Sequence, residues 1–349
     1  MSLASEIKFG AGIPWAMPGD TYQPDTLLET AKICEETGYD SLWVGDHLLH
    51  FPGLIVPESW TLLSAVTMVT NKPKLGTAVT DPHRHHPAVL AQRLATLDHF
   101  AKGRIILGLG PGTAINLDSF NIGWEKPVSK LEEYVKILRR LWSGERFSHD
   151  GRFWQFKDAH LQIKPYNDSI PIYFASNRPR MLKLTGRYAD GWIPLGLTPK
   201  MYKKRIASLR DSANTAGRSL SDIDTGLYLG VCMSDKLDEL ALIDGWKGIL
   251  VPEALLEAGY DLPEKQKSYH YLDWESNSEY MGQIAEYSSH VPDDAVKEFF
   301  VVGSPDECIE KVDEFNKAGV RHFVFEFMSL DHERMARGFQ SQVLSHFIE

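Results

Sequence analysis

The chain has 349 residues, 43% of them hydrophobic and 24% charged, with a formal net charge of −10. That excess of acid repels phosphate backbones and argues against a nucleic-acid partner, while the longest apolar runs are strand-length and too short to span a membrane. The first residues lack a basic-then-apolar signal pattern and the cysteines, Cys34, Cys232 and Cys308, lie far apart, so a cytoplasmic protein with reduced thiols and no structural metal is expected.

Strand-like and helix-like segments alternate from the start. Residues 7–13 read as a strand. Residues 25–37 read as a helix, with Leu27, Leu28, Ala31, Ile33 and Cys34 near helical period and Gly38 at its end. A strand at 41–44 precedes a helix at 59–70, and a strand at 74–79 precedes a helix at 87–100. Residues 104–109 are almost continuously apolar, as in a parallel strand buried on both faces. The alternation resumes with a strand at 171–175, a helix at 179–188, a strand at 191–195, a helix at 201–216 and a strand at 225–233. A helix at 304–318 opens on Ser304-Pro305-Asp306-Glu307 and stops at Gly319, which is capping chemistry at both ends. A strand at 322–327 and a helix from His332 follow.

Eight βα units in series predict a parallel sheet closed into a (β/α)8 TIM barrel, with residues 1–349 as one domain. An open doubly wound sheet is the alternative, but its Gly-rich first turn is missing from Gly12-Ile13-Pro14-Trp15. Insertions follow the fourth and seventh strands. Residues 111–170 hold a helix at 130–141 and an aromatic hairpin turning at Asp150-Gly151. Residues 234–299 hold Trp246, Tyr260, Tyr269, Tyr271, Trp274 and Tyr280, which suit either a pocket for a bulky substrate or the packing of an extra helical layer.

Barrel active sites lie at the C-terminal ends of the strands. After the second strand, Asp46 and His47 can orient a ring or shuttle a proton, or else cap a helix and face solvent. After the third, Thr80, Asp81, His83, His85 and His86 precede Pro87. Three histidines suggest a metal, but successive loop positions do not converge, and a helix-initiating loop explains Asp81, Pro82 and Pro87. After the fourth, Gly108, Gly110, Pro111, Gly112 and Thr113 either let backbone N–H groups approach an anion or a flat ring, or make a tight turn. After the fifth, Ala175, Ser176, Asn177 and Arg178 precede a helix start, which suits a phosphate cradle; capping by Asn177 is the plainer alternative.

Several stretches together resemble the luciferase-like barrel superfamily, and within it the branch that uses coenzyme F420. They are residues 39–47 (YDSLWVGDH), 87–92 (PAVLAQ), 103–110 (GRIILGLG), 123–127 (GWEKP), 179–192 and 302–307 (VGSPDE). Within that branch the chain looks similar to methylenetetrahydromethanopterin reductases, phthiodiolone ketoreductases and deazaflavin-dependent dehydrogenases. The resemblance implies an oxidoreductase that moves a hydride between the deazaflavin C5 and a small organic substrate, as a homodimer. It places Asp46 and His47 beside the deazaflavin ring, His47 as main proton partner and Asp46 fixing its tautomer or contacting the ring. It also implies a non-proline cis peptide at Ala78-Val79 backing the ring, Gly110, Pro111, Gly112, Thr113 and Asn116 along it, and Ala175, Ser176 and Asn177 at the cofactor's phosphate, with Arg178 able to add a contact. Two acids of relatives are Gly12 and Thr113 here, so their proton source does not transfer. The alternatives are an FMN-dependent monooxygenase of the same superfamily, a cofactor-binding protein without turnover, and an NAD-linked reductase.

Overall fold

In space the alternation becomes a closed ring of parallel strands. The computed structural model describes residues 7–50, 53–113, 116–234, 247–269, 278–329 and 331–348. The ring runs β1 (Lys8–Gly12), β2 (Ser41–Val44), β3 (Lys74–Thr77), β4 (Ile105–Leu109), β5 (Ile172–Phe174), β6 (Gly191–Trp192), β7 (Asp224–Met233) and β8 (His322–Phe327). Each strand pairs in parallel with the next, and β8 returns to β1 with Lys8 opposite His322, which closes the (β/α)8 barrel.

The helices are α1 (Pro24–Glu36), α2 (Ser59–Val69), α3 (Pro87–Phe100), α4 (Pro127–Trp142), α5 (Pro179–Tyr188), α6 (Pro199–Thr215), α7 (Pro252–Ala258), α8 (Ser278–Ser288), α9 (Asp293–Phe299), α10 (Pro305–Ala318) and α11 (His332–Gln342). Proline stands at the first position of α1, α3 to α7 and α10, where its missing N–H costs no hydrogen bond. Ser304 and Glu307 close a capping box on α10, and Gly319 ends it at φ +113°, as the sequence indicates.

The strands at 41–44 and 322–327 match their expected spans; the ends of the others depart by up to three residues, because pairing, not hydropathy, decides where a strand stops. β3 stops at Thr77 and β6 at Trp192. Three features were not foreseen. Residues Val301–Gly303 add a ninth strand to the upper half of β7, outside the ring. Residues Met17–Pro18 pair with Leu54–Ile55 and tie the loop after β1 to the loop after β2. The helix of the first insertion starts at Pro127, three residues early. The hairpin of that insertion, Phe147–Asp150 with Gln155–Ala159, is present. Glu133 of α4 accepts the backbone N–H groups of Arg152, Phe153 and Trp154 and so fixes its turn.

In the second insertion Tyr260 and Tyr269 pack against the core, and the Tyr269 ring stacks on Tyr287 at 3.7 Å, so both serve a helical layer. Trp246, Tyr271, Trp274 and the Tyr280 side chain lie outside the described residues. The three cysteines are buried and form no disulfide. No described helix is long and apolar enough to cross a membrane.

Candidate active site at the barrel mouth

Alternation along the strands divides the barrel interior into layers. On β8, His322, Val324 and Glu326 face inward, from the N-terminal floor to the C-terminal mouth. Trp43, Ile106, Tyr173, Ile193 and Val324 fill the middle as one cluster, and Ala78, Val79 and Tyr228 pack on it from above. Mouth positions are mostly small: Gly12, Ala78, Gly110 and Ala175. Around these positions several residues are only partly covered, among them Trp15, His47, Val79, Thr113, Tyr228 and Glu326.

The loop after β2 carries Asp46 and His47. Asp46 is buried and meets Arg84 in a two-pronged pair, Nη1 to Oδ1 at 3.1 Å and Nη2 to Oδ2 at 2.9 Å. Arg84 also donates from Nε to Asp81 at 2.6 Å, so one guanidinium bridges two carboxylates. The Arg84 side chain, missed in the sequence, is the hub of this loop pair. A corrected role follows for Asp46. The side chain that fixes His47 is Asn116, whose Nδ2 donates to His47 Nδ1 at 3.0 Å. The Asn116 oxygen accepts the backbone N–H groups of Leu48 and Leu49 at 2.8 and 3.3 Å, and its amide also reaches Thr113 Oγ1 at 3.2 Å. With Nδ1 accepting, the free proton of neutral His47 sits on Nε2. Burial pushes the His47 pKa down to about 4, helped by the Arg84 charge, so the ring is neutral at pH 7.

Trp15, from the loop after β1, stacks on His47 at 5.2 Å. A Cβ on Gly45 would come within 2.5 Å of the Trp15 ring, which is why that position has no side chain. The Ala78-Val79 peptide bond is cis. Thr80, next in the chain, is fully buried and its hydroxyl has no partner. The glycines after β4 serve close packing. A Cβ on Gly108 would overlap the Thr77 carbonyl at 1.8 Å, one on Gly110 would press on Val79, and Gly112 has φ +86°. The Gly110 N–H is taken by the Thr80 carbonyl at 2.8 Å, so it is not offered to an anion.

The histidines after β3 diverge. His83 lies 3.1 Å from the carbonyls of both Pro111 and Gly123, His86 caps α3, and His85 lies 3.9 Å from Asp46. Among the described residues no three His, Cys, Asp or Glu side chains converge on a metal site.

After β5, Ser176 bonds Thr185 at 2.9 Å and Asn177 Nδ2 donates to the Leu195 carbonyl at 2.7 Å. Asn177 does not cap α5; the cap position is Arg178, without a side-chain hydrogen bond, so the first N–H groups of α5 have no side-chain acceptor there. The Asn177 oxygen is buried without a partner. Arg178 pairs with Glu253 of α7, and Arg205 and Lys204 pair with Glu257 one turn on, so the second insertion is pinned beside this helix start.

One carboxyl in the mouth escaped the sequence reading. Glu326 of β8 accepts the Tyr228 hydroxyl, and its Oε2 lies 2.1 Å from where a Cβ on Gly12 would stand. Burial raises the Glu326 pKa to about 7. The available signal was a lone acid on the inward phase of an otherwise apolar strand, HFVFEF.

The family model for luciferase-like monooxygenases matches residues 7–322. The chain belongs to that family. It is 32% identical over 350 residues to an F420-dependent glucose-6-phosphate dehydrogenase of Nakamurella multipartita, covering 97% of this chain and 96% of the relative. It is 30% identical over 339 residues to a phthiodiolone/phenolphthiodiolone dimycocerosates ketoreductase of Mycobacterium tuberculosis, covering 86% and 87%. Among solved structures, an F420-dependent secondary alcohol dehydrogenase in complex with an F420-acetone adduct superimposes with a TM-score of 0.83 at 24% identity, over 97% of this chain and 99% of that one. The chain thus falls among the oxidoreductases of the family whose names carry F420.

Proposed function

We propose that this chain is an F420-dependent oxidoreductase that transfers a hydride between the deazaflavin and a small organic substrate, a ketone, an alcohol or a pterin-like compound. The observation that carries the reading is a pair of orphaned polar atoms at the strand ends: the Thr80 hydroxyl, next to the cis Ala78-Val79 peptide, and the Asn177 oxygen, just before α5, are buried without partners among small mouth residues. Orphaned polar atoms beside an apolar wall suit a planar heterocycle with polar edges. Bound there, the cofactor would supply a carbon-centred two-electron donor or acceptor.

The protein's part is to orient and exclude water. Ala78, Val79 and Gly110 would back the ring, with Pro111, Gly112 and Thr113 at its rim. His47, locked by Asn116, would stand beside the ring as a fixed, neutral imidazole. Asp46 acts at one remove, keeping Arg84 and the loop in place. Ala175, Ser176, Asn177 and the uncapped start of α5 would receive the phosphate, with Arg178 able to exchange Glu253 for it.

A second copy of the chain would cover the outer face of α2 and α3, where Met68, Val89 and Phe100 are 70%, 52% and 62% exposed. Sedimentation of wild type against Phe100→Glu reads this directly: a dimer that falls apart supports it, and a wild-type monomer refutes it.

The deciding experiment is titration of the apo protein with F420 and, separately, FMN, followed by cofactor fluorescence. Micromolar or tighter F420 binding with at least about tenfold weaker FMN binding is expected. The reverse preference would replace the reading with a flavin monooxygenase.

A further inference from the structure

We infer that Glu326, held by Tyr228 and standing in the space above Gly12, is the group that exchanges a proton with the oxygen of a carbonyl or alcohol substrate; the inference rests on the oxidoreductase reading above.

The argument starts from position. Glu326 faces into the barrel one layer above Val324, and Tyr228 belongs to the same inner cluster as Ala78 and Val79. The carboxyl therefore stands at the mouth end of the barrel, on the layer to which the cis peptide also belongs. Protein surrounds it closely, and the residue as a whole is only partly covered. A side chain on Gly12 would collide with it, so glycine at that position is what makes room for the carboxyl.

Its surroundings are bare of charge. From β1 the facing residue is Gly12, without a side chain. From β7 it is Tyr228, whose hydroxyl donates to Oε2. From the loop after β1 it is the Trp15 indole, whose N–H bears on Glu326 and Tyr228 and whose ring stacks on His47. No charged side chain bears on the carboxyl among the described residues. Burial alone raises it, to about 7, which is the range in which a group both gives and takes a proton at neutral pH. His47, at about 4, is not an imidazolium at that pH, and its remaining Nε2 proton is a hydrogen-bond donor rather than an acid. Tyr228 is raised well above its usual value by burial and by the neighbouring carboxylate, so it stays a hydrogen-bond donor.

A bound reduced deazaflavin would supply the two-electron hydride for the new C–H bond, the carbonyl π pair moving onto oxygen. Glu326 would then give its carboxyl proton to that oxygen, its O–H bond breaking, and the carboxylate left behind would keep the Tyr228 hydrogen bond. For an alcohol with oxidised cofactor the same transfers would run backwards, the alcohol proton passing to the carboxylate.

Glu326→Gln keeps the size and removes the titration. The apo protein should show an infrared band of a protonated carboxyl that titrates near pH 7 in wild type and is missing in E326Q. With F420 bound within about twofold of wild-type affinity, E326Q should lose at least about 100-fold in reduction of a ketone such as acetone or cyclohexanone and lose the pH-profile limb near 7. Tyr228→Phe should keep the limb but move it to higher pH, because a hydrogen bond to the carboxylate is gone. The inference is overturned by a missing carboxyl band, by E326Q retaining more than a tenth of the activity with the wild-type pH profile, or by no ketone turning over in F420-loaded wild type. Failure of wild type to bind F420 strikes the oxidoreductase reading instead, and the two failures are separate readouts.

Discussion

The floor and the mouth of the barrel are built from similar residue types and differ in whether their bonds are closed. On the floor, Ser41 Oγ lies 2.7 Å from His322 Nε2, and His322 Nδ1 lies 2.9 Å from Asp224. Tyr173 donates to the same carboxylate at 2.6 Å, Lys8 at 3.0 Å, and the Trp43 indole donates to Ser41 at 2.8 Å. A serine, a histidine and an aspartate in line look like a nucleophile, its base and the base's partner. Ser41 is 1% exposed, however, and the set sits at the N-terminal ends of the strands, where barrels keep their stability rather than their chemistry. Nearby Arg104 is buried too, its guanidinium held by the carbonyls of Thr67, Thr70, Pro73 and Ala101. At the mouth the closed Asp46–Arg84–Asp81 set stands beside open groups: the Thr80 hydroxyl and the Asn177 oxygen are buried without partners. Polar groups with closed bonds hold the fold. Polar groups left open at the C-terminal strand ends are where a ligand would find its partners.

The sharpest way to break the comparison is at the floor. Asp224→Ala should destabilise by about 3 to 5 kcal/mol in urea unfolding, because His322, Tyr173 and Lys8 lose a shared buried partner. A loss under about 1 kcal/mol would mean the floor is not the stable end.

The two ends should also answer pH with opposite signs. Asp224 is held well below the usual carboxylate range by His322 and Lys8 against the pull of burial, so its stabilisation is present above its unfolded pKa and disappears as pH falls. Glu326 is raised, so its contribution is complete below about 4.5 and is lost as pH rises through about 7. The stability of wild type relative to Glu326→Gln should fall between pH 5 and 8 by at most about 3 kcal/mol, water at the mouth keeping it below that ceiling. A difference that rises with pH would invert the assignment. His47 adds an opposite slope of similar size, since a depressed base destabilises the fold as pH drops from 6.5 toward 4.

Asn116→Ala separates function from fold at the mouth. Releasing the His47 ring should cut kcat about tenfold, about 1.4 kcal/mol, with cofactor affinity nearly unchanged. Equal turnover in the variant would show that the locked ring is dispensable. The smallest effect belongs to the rim: Arg178 and Glu253 are 65% and 59% exposed, and Glu253→Gln should change stability by less than about 0.5 kcal/mol. The same variant should tighten F420 binding if Arg178 is freed for the phosphate, which a titration in low salt would show.

The eight units, the prolines at 87, 179 and 305 that open helices, the hairpin after α4 and the strand end that carries Asp46 and His47 were legible in the sequence; the prolines at 24, 127, 199 and 252 and the true end of β3 were not. Periodicity and capping are local, and a residue's neighbours in the chain settle them. Which side chains meet across the mouth is a different matter. Asn116 reaches His47 across 69 positions, Arg84 reaches Asp46 across 38, and Tyr228 reaches Glu326 across 98. Period two says that Glu326 faces inward, but only closure of the ring and the stagger of its strands put the carboxyl over Gly12 rather than elsewhere. The chain by itself determined that there is a barrel and which end of it is open; the tertiary structure decided which acid stands in the opening, because that depends on contacts between strands that no local pattern encodes.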